Sequence, residues 1–340
     1  MPDQPLEIIV YIHGVSPRGQ RSHQQTYQVL HDAIRARQRP GRQFPDWFCG
    51  VEWGWHEPAA QNPKSHELLS DAEEALGARA LPAVLDPWDF TINPLRIAVD
   101  KFRPLMLYNF ADMFYYASED GKNAVRYAAA KRIIDCLRDK VGDISKAPPL
   151  SLTFLAHSAG SIVAFDLLFY LFYAPRPVSE FINAAKVKAG PAHPDNGVRS
   201  FTASPNQVQQ TLSELEMLKQ MAQQKQSLRV RRLFTFGSPI TPLSVRSDVT
   251  LGILAGNHRL SPGDYGLTRN DALFGPALQP PRWVNIWDKD DPIAWPVEPL
   301  MDAAGGAVKD EYIDVSDDVT AAHNEYWGNA RFQQLIADRW

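Results

Sequence analysis

Short runs of consecutive apolar residues set the fold class of this 340-residue chain. The clearest are LEIIVYI at Leu6–Ile12, which is rich in β-branched residues, and LSLTFLA at Leu150–Ala156. A strand that is apolar at nearly every position must be buried on both faces, which is typical of a parallel sheet with helices on both sides. Both runs are therefore predicted to be central strands of such a sheet.

Helices and further strands alternate along the rest of the chain. Strands are predicted at Trp47–Trp53, Val230–Phe236, Trp283–Trp287 and Glu311–Val315, and helices at Gln24–Gln38, Asn123–Lys140, Ala159–Tyr173 and Glu325–Asp338. This alternation indicates an α/β fold, a mainly parallel twisted sheet with helices on both faces. In such sheets the ligand site lies at the carboxyl ends of the strands.

The whole chain, 1–340, is interpreted as one domain with two insertions. The first, 56–118, contains six prolines and is too long for a bare connection, so short helices laid over the sheet are expected there. The second, 175–229, is expected to contribute a helical cap. Its helix is predicted to start at Ser204-Pro205, with an apolar stripe from Val208 to Met221. A lid over the site and a surface helix packed elsewhere are equally compatible with that stripe.

Composition and charge exclude several function classes. The chain is 44% hydrophobic and 22% charged with a net charge of −4, as in soluble globular proteins, and no basic run suggests a nucleic-acid partner. No signal peptide is visible in the polar start of the chain, and the longest apolar run, Ile162–Ala174, is too short for a transmembrane segment. A cytoplasmic setting is expected, with Cys49 and Cys136 as buried free thiols rather than a disulfide.

The strongest chemical signal is Ala156-His157-Ser158-Ala159-Gly160, between an apolar strand and an apolar helix. A nucleophilic serine on a sharp strand-to-helix turn needs small residues two positions before and after it, here Ala156 and Gly160. The helix that follows directs its positive end at the site, which favours an anionic intermediate. Ser158 is therefore the predicted nucleophile. The alternative is that Ser158 simply caps the helix.

A second serine, Ser238 in Phe236-Gly237-Ser238-Pro239, also follows a predicted strand. The residue after the nucleophile normally donates its backbone N–H to the oxyanion, and Pro239 has no N–H. Ser238 is therefore rejected as the nucleophile, and its segment is expected to shape the floor of the pocket.

Two backbone N–H groups are predicted to form the oxyanion hole. One belongs to Ala159, directly after the nucleophile, and the other to Val15, after the His13-Gly14 turn that ends the first strand. An ordinary glycine turn is the alternative for this second segment.

The general base is predicted to be His323, in a loop after the last strand and before a helix. A helix cap or surface histidine is its structural alternative. His193 and His258 lie in irregular stretches and His31 on an early helix, so they fit the role less well. His157, beside the nucleophile, is the next candidate for the base.

The acid of the site is predicted within Trp283–Trp295, WVNIWDKDDPIAW, which offers Asp288, Asp290 and Asp291. Asp291 is favoured because Pro292 biases it to an extended conformation that would hold the carboxylate in one direction. Asp288, directly after the strand, is the main alternative, and the remaining carboxylates would be turn residues.

Five short segments together resemble the α/β-hydrolase superfamily, in its lipase and esterase-like branches, which include relatives of the GPI-inositol deacylases. They are IVYIHG, FLAHSAG, TFGSP, NIWDKDDPI and AHNEYW. The resemblance implies a triad in the order Ser158, Asp, His323 and hydrolysis of a carboxylic ester without a cofactor. The chain departs from the usual G-x-S-x-G pattern, because Ala156 replaces the first glycine.

Other functions remain open at this stage. A thioesterase, amidase or acyltransferase could use the same residues, and a non-catalytic scaffold with this fold would bind a partner instead. The expected substrate is a small-molecule or lipid ester. No metal site is predicted, since His56 and His66 lack the spacing of zinc ligands.

Overall fold

The strands of the chain form one six-stranded sheet. The computed structural model describes residues 5–14, 23–41, 44–53, 116, 118–187, 204–244, 259–267, 274, 279–301 and 306–340. The strands are β1 (Leu6–Ile12), β2 (Phe48–Val51), β3 (Leu150–His157), β4 (Leu228–Phe236), β5 (Trp283–Trp287) and β6 (Val308–Tyr312).

All neighbouring strands pair in parallel, in the order β2-β1-β3-β4-β5-β6. This confirms the predicted parallel α/β sheet. The chain moves from β1 outward to β2 and then crosses back to β3 on the other side of β1. Strand order therefore reverses between β1 and β3, and the carboxyl ends of those two strands form the crevice where α/β sheets bind ligands.

Helices cover both faces of the sheet. They are α1 (Gln24–Ala36), α2 (Glu119–Val141), α3 (Ala159–Phe172), α4 (Val178–Phe181), α5 (Pro205–Gln223), α6 (Ile240–Ser244), α7 (Val319–Ala322) and α8 (Ala330–Arg339). Alternate residues of β1 supply two separate cores: Ile8 and Val10 pack in the cluster with α2, α3 and α5, and Ile9 and Tyr11 in the cluster with α1 and α8. The period-two alternation explains why β1 is apolar throughout.

Two predicted elements near the end of the chain are shifted in the structure. The last strand spans Val308–Tyr312 rather than Glu311–Val315. As an edge strand it is half-exposed and polar, whereas the apolar Ile313 that suggested a strand lies buried just beyond it. The final helix begins at Ala330, because Asn329 caps it by accepting a hydrogen bond from the Phe332 N–H, and Glu325–Gly328 forms a separate 3-10 turn.

Helix α5 starts as predicted, with a capping box in which the Ser204 and Gln207 side chains bond each other's backbone N–H. Its contacts are with α2, α3 and α4 and the start of β4. Leu215 and Leu218 line the same small cavity as Leu152 of β3, so the helix packs on a face of the sheet. These contacts match the packed-helix alternative and give the lid interpretation no support. The insertion 56–118 lies outside the described residues except for 116 and 118.

The two cysteines form a disulfide, so the expectation of free thiols was wrong. Cys49 on β2 and Cys136 on α2 are joined, with their Cα atoms 5.8 Å apart and a sequence separation of 87. The pairing arises because α2 packs against the edge strand β2, a contact that no local pattern indicates. Among the described residues, none of the helices is long and apolar enough to cross a membrane.

Candidate active site

Ser158 occupies a strained turn between β3 and α3. Its backbone angles, φ 51° and ψ −131°, lie in a region that residues other than glycine rarely adopt. Such a conformation costs on the order of 1–3 kcal/mol and persists only where the surroundings enforce it. Here the Ser158 N–H donates to the Phe236 carbonyl at 2.9 Å, and the Ser161 hydroxyl donates to the Ser158 carbonyl at 2.5 Å.

Two glycines allow β1 to approach this turn closely. A Cβ on Gly160 would lie 2.1 Å from the His13 carbonyl oxygen, and one on Gly14 would lie 2.4 Å from the Ser158 Cβ. Contacts that short do not occur between real side chains and backbone, so both positions require glycine. The structure thus gives a packing reason for two glycines that the sequence interpretation had assigned to the site.

Ser158, His323 and Asp291 lie in hydrogen-bond contact with one another. His323 Nε2 is 2.8 Å from Ser158 Oγ, and His323 Nδ1 is 2.9 Å from Asp291 Oδ2 and 3.0 Å from Oδ1. All three side chains are buried. Because a carboxylate can only accept, Nδ1 carries the proton and Nε2 presents its lone pair to the serine hydroxyl.

Asp288, the alternative acid, binds backbone N–H groups and so organises the backbone around it. Its carboxylate accepts hydrogen bonds from the N–H groups of Asp290 at 3.0 Å, Val315 at 2.6 Å and Ser316 at 3.3 Å. Asp288 therefore holds the turn after β5 against the segment after β6. Asp290 pairs with Lys289 in a partly exposed position.

The surroundings of Asp291 keep it ionised. Burial by itself raises the pKa of the carboxyl, but the hydrogen bond and charge of His323 and the Ile293 N–H together lower that pKa below its usual value. A residue that sequence reasoning did not single out, Tyr326, lies close to this carboxylate. Its hydroxyl accepts from the Asp288 N–H at 3.0 Å, and burial followed by the Asp291 charge raises the pKa of Tyr326.

Of the two predicted oxyanion donors, only Ala159 lies in the described part of the chain. It is the first residue of α3, where backbone N–H groups have no acceptor within the helix. Val15 lies outside the described residues.

The strand end that precedes Val15 is held firmly at His13. The His13 carbonyl accepts from Trp53 Nε1 at 2.7 Å, and His13 Nε2 accepts from the Trp53 N–H at 3.0 Å. The ring also stacks on His23 with centroids 3.8 Å apart. These bonds fix where β1 ends beside Ser158.

The Phe236-Gly237-Ser238-Pro239 segment lies directly beside the three residues. Ser238 Oγ is 2.7 Å from Ser161 Oγ, so Ser238 supports the turn at Ser158 through Ser161. Gly237 has φ +57°, and a Cβ there would lie 3.1 Å from Asp291 Oδ2 and 3.2 Å from His323 Cε1. The segment that was expected to form the pocket floor therefore lies against the side chains of Asp291 and His323.

The other candidate histidines do not reach Ser158 in the described residues. His31 bonds Tyr11 and the Pro45 carbonyl within the core between α1 and the sheet. His193, His258, His56 and His66 all lie outside the described residues. Within the part of the chain that the structure describes, no group of three His, Cys, Asp or Glu residues is arranged to hold a metal ion.

Comparison with known proteins identified no relative of this chain. No protein-family model, curated protein or solved structure matches the chain.

Proposed function

We propose that the protein is a serine hydrolase that cleaves a carboxylic ester through an acyl-enzyme on Ser158. The observation that carries the proposal is the continuous chain of contacts from Asp291 through His323 to Ser158 Oγ, ending at a serine with positive φ. Nucleophile, base and orienting acid are the three parts that activation of a serine hydroxyl requires.

In the proposed reaction His323 Nε2 takes the proton of Ser158 Oγ as that oxygen attacks the ester carbonyl. The N–H groups of Ala159 and Val15 stabilise the oxyanion of the tetrahedral intermediate. His323 then gives its proton to the leaving alkoxide, which departs as an alcohol. Water repeats the sequence on the acyl-enzyme, releasing the acid and restoring Ser158. Asp291 stays ionised throughout and stabilises the imidazolium.

We further propose that the fold is that of the α/β-hydrolases. Three features support this: a parallel sheet with helices on both faces, a serine on the turn after a central strand, and the chain order Ser158, Asp291, His323. The site also lies at the crevice where strand order reverses, between β1 and β3. No step of the reaction needs a cofactor.

Of the alternative functions, other acyl-transfer enzymes would use the same three side chains, and a non-catalytic scaffold would use none of them. A thioesterase, amidase or acyltransferase differs in the leaving group or the acceptor, and the contacts among the three side chains do not discriminate between these. A non-catalytic scaffold is disfavoured by the strain at Ser158, because a protein that only binds a partner has no use for a backbone conformation that costs folding free energy.

Labelling with a fluorophosphonate probe and turnover of a chain-length series of nitrophenyl esters test the proposal. We expect the wild-type protein to be labelled at Ser158 and to hydrolyse at least one ester of the series. Ser158→Ala should lose at least about a thousandfold in kcat/KM and all labelling while keeping its Tm within a few degrees.

His323→Gln should likewise lose both turnover and labelling, since the hydroxyl then has no base. Labelling and turnover that survive in Ser158→Ala would overturn the assignment of the nucleophile. A wild-type protein that neither labels nor turns over any ester would overturn the function.

A further inference from the structure

A second buried histidine, His157, connects the residue before the nucleophile to the backbone of the base. His157 is the last residue of β3 and precedes Ser158 directly. Its Nε2 lies 2.7 Å from the carbonyl oxygen of His323. Because a carbonyl can only accept, Nε2 carries the proton and donates it. One hydrogen bond therefore joins chain segments that are 166 residues apart.

The ring of His157 has no freedom to turn away from that carbonyl. It packs against the rings of Phe236, with centroids 5.0 Å apart, and Trp327, edge-on at 5.5 Å. The His323 ring lies 4.9 Å away on another side. A Cβ on Gly237 would also come within 3.2 Å of His157 Nε2, so the absence of a side chain there leaves space for the imidazole.

The backbone of His323 needs such a connection because of where it lies. His323 follows the one-turn helix α7 and precedes the 3-10 turn Glu325–Gly328, so no sheet hydrogen bond holds it. Asp291 orients the His323 ring through Nδ1, but that contact does not fix how far the loop that carries His323 lies from β3.

We propose that His157 is a positioning residue, whose Nε2–H holds the His323 carbonyl so that His323 Nε2 stays within hydrogen-bond distance of Ser158 Oγ. The inference rests on the proposed function. The hydrogen bond acts from the residue adjacent to the nucleophile, so it ties the backbone that carries the nucleophile to the backbone that carries the base. A misplacement of about 1 Å in such a pair is enough to cost on the order of a hundredfold in rate.

The electrostatics of His157 agree with a positioning role and disagree with a role as the base. Burial, followed by the nearby His323, lowers the pKa of His157 to about 3. The ring therefore stays neutral while His323 gains and loses its proton, and it adds no positive charge beside the imidazolium. Its donor nitrogen is already committed to the His323 carbonyl and cannot take a proton from Ser158.

Two replacements of His157 separate the hydrogen bond from the packing. His157→Gln keeps an N–H donor at about the position of Nε2, whereas His157→Met fills a similar volume without a donor. We expect His157→Met to lower kcat and the rate of fluorophosphonate labelling by about 10- to 100-fold, with KM within about twofold. His157→Gln should recover most of that loss, to within about fivefold of wild type.

His31→Met is the matched control. His31 is also buried and its Nε2 also bonds a backbone carbonyl, that of Pro45 at 2.9 Å, but away from Ser158. It should lower Tm without changing the kcat of the folded protein. Equal losses in His157→Gln and His157→Met would mean that the side chain acts by packing alone, and wild-type kcat and labelling in His157→Met would overturn the proposal.

A measurement without turnover keeps this inference distinct from the proposed function. The His323 Nδ1 proton, held by Asp291, should give a slowly exchanging downfield imidazole proton signal that is missing in His323→Gln. We expect that signal to persist in His157→Gln and to broaden or disappear in His157→Met. If the wild-type protein hydrolyses nothing, the proposed function fails, and the signal still decides whether His157 positions His323. An unchanged signal in His157→Met would overturn the positioning role.

Discussion

Three aspartates within four residues take three different environments in this molecule, which decides their roles. Asp291 contacts the ring of His323, Asp288 accepts three backbone N–H groups, and Asp290 pairs with Lys289. All three have the same chemistry and nearly the same sequence context. What separates them is the direction in which the turn after β5 points each carboxylate.

Replacing Asp291 by asparagine should lower activity, whereas replacing Asp288 by asparagine should lower stability. Asp291→Asn should lower kcat by several orders of magnitude, about 10⁴-fold in related triads, because the amide favours the wrong tautomer of His323, while Tm changes little. Asp288→Asn should cost about 1–3 kcal/mol of stability, because buried N–H groups lose part of their acceptor, and should leave most of the activity of the folded protein. Ester turnover and denaturant unfolding of both variants measure this. A dead, stable Asp288→Asn would contradict the assignment.

The buried, neutral His157 also predicts a pH dependence of folding. Its pKa is about 3 in the folded protein, lowered by burial and the charge of His323 and partly restored by the hydrogen bond to the His323 carbonyl and by Asp291, against about 6.5 in the unfolded chain. Between these values the unfolded chain binds a proton that the folded protein does not, so stability falls as pH is lowered from about 6.5 towards 3. Above pH 6.5 this contribution is constant.

The variant His157→Gln isolates that contribution. As pH is lowered from 6 to 4, the unfolding free energy of wild type should fall relative to that of His157→Gln by up to about 1.4 kcal/mol per pH unit. Denaturant unfolding at four or five pH values measures the slope. A difference that is independent of pH would mean that His157 titrates normally in the folded protein.

Among the elements of the fold, the site forms where β1, β3 and α3 approach one another closely. Gly160 lets α3 begin directly against the end of β1, and the positive φ of Ser158 makes the chain reverse from strand to helix in one residue. The turn after β4 supports the other side through Gly237 and Ser238. Short polar segments at the carboxyl ends of the strands thus make up the site, while the apolar strands hold them in register.

The packing of α5 predicts that its buried face contributes to stability and does not affect substrate preference. Leu218→Ala should destabilise the protein by about 2–5 kcal/mol, because Leu218 is buried against α2, α3 and the sheet, and should leave KM and chain-length preference unchanged. Gln209→Ala, at an exposed position of the same helix, is the control and should alter neither. If Leu218→Ala changed chain-length preference with little loss of stability, the lid interpretation would regain support.

At the scale of the whole molecule, the disulfide closes a large loop across one edge of the sheet. Cys49 and Cys136 join β2 to α2 over 87 residues. Trp53, just beyond β2, holds the His13 backbone beside Ser158, so the bond also restrains an element next to the site. Persistent disulfides are typical of oxidising compartments, which weighs against the expected cytoplasmic setting.

Reduction of this bond should destabilise the folded protein by about 4–5 kcal/mol, the chain-entropy value for a loop of this length. Denaturant unfolding with and without reductant measures the effect, and the Cys49→Ser, Cys136→Ser double variant should not respond to reductant. Thiol titration of the unreduced, unfolded wild-type protein should find no free thiol. Two reactive thiols in that experiment would restore the sequence-based expectation.

Local patterns in the sequence were enough to predict the local features of the fold. Apolar runs predicted β1, β3 and β5 closely, because burial on both faces demands apolar residues at successive positions. The small residues around Ser158 predicted its turn, because steric limits act within a few residues. The choice of Asp291 over Asp288 rested on the resemblance to lipases, in which the acid often precedes a short run ending in Val or Ile, and on the effect of a proline on the residue before it.

Contacts between groups that are distant in sequence became visible with the assembled fold. The bond from His157 to the His323 carbonyl, the Cys49–Cys136 disulfide, the bond from the Asp288 N–H to the Tyr326 hydroxyl and the packing of α5 all join segments far apart in sequence. Local patterns record backbone geometry and burial, whereas such pairings depend on the order of parallel strands and on which face each crossover helix covers. That order becomes definite only when the whole sheet is assembled.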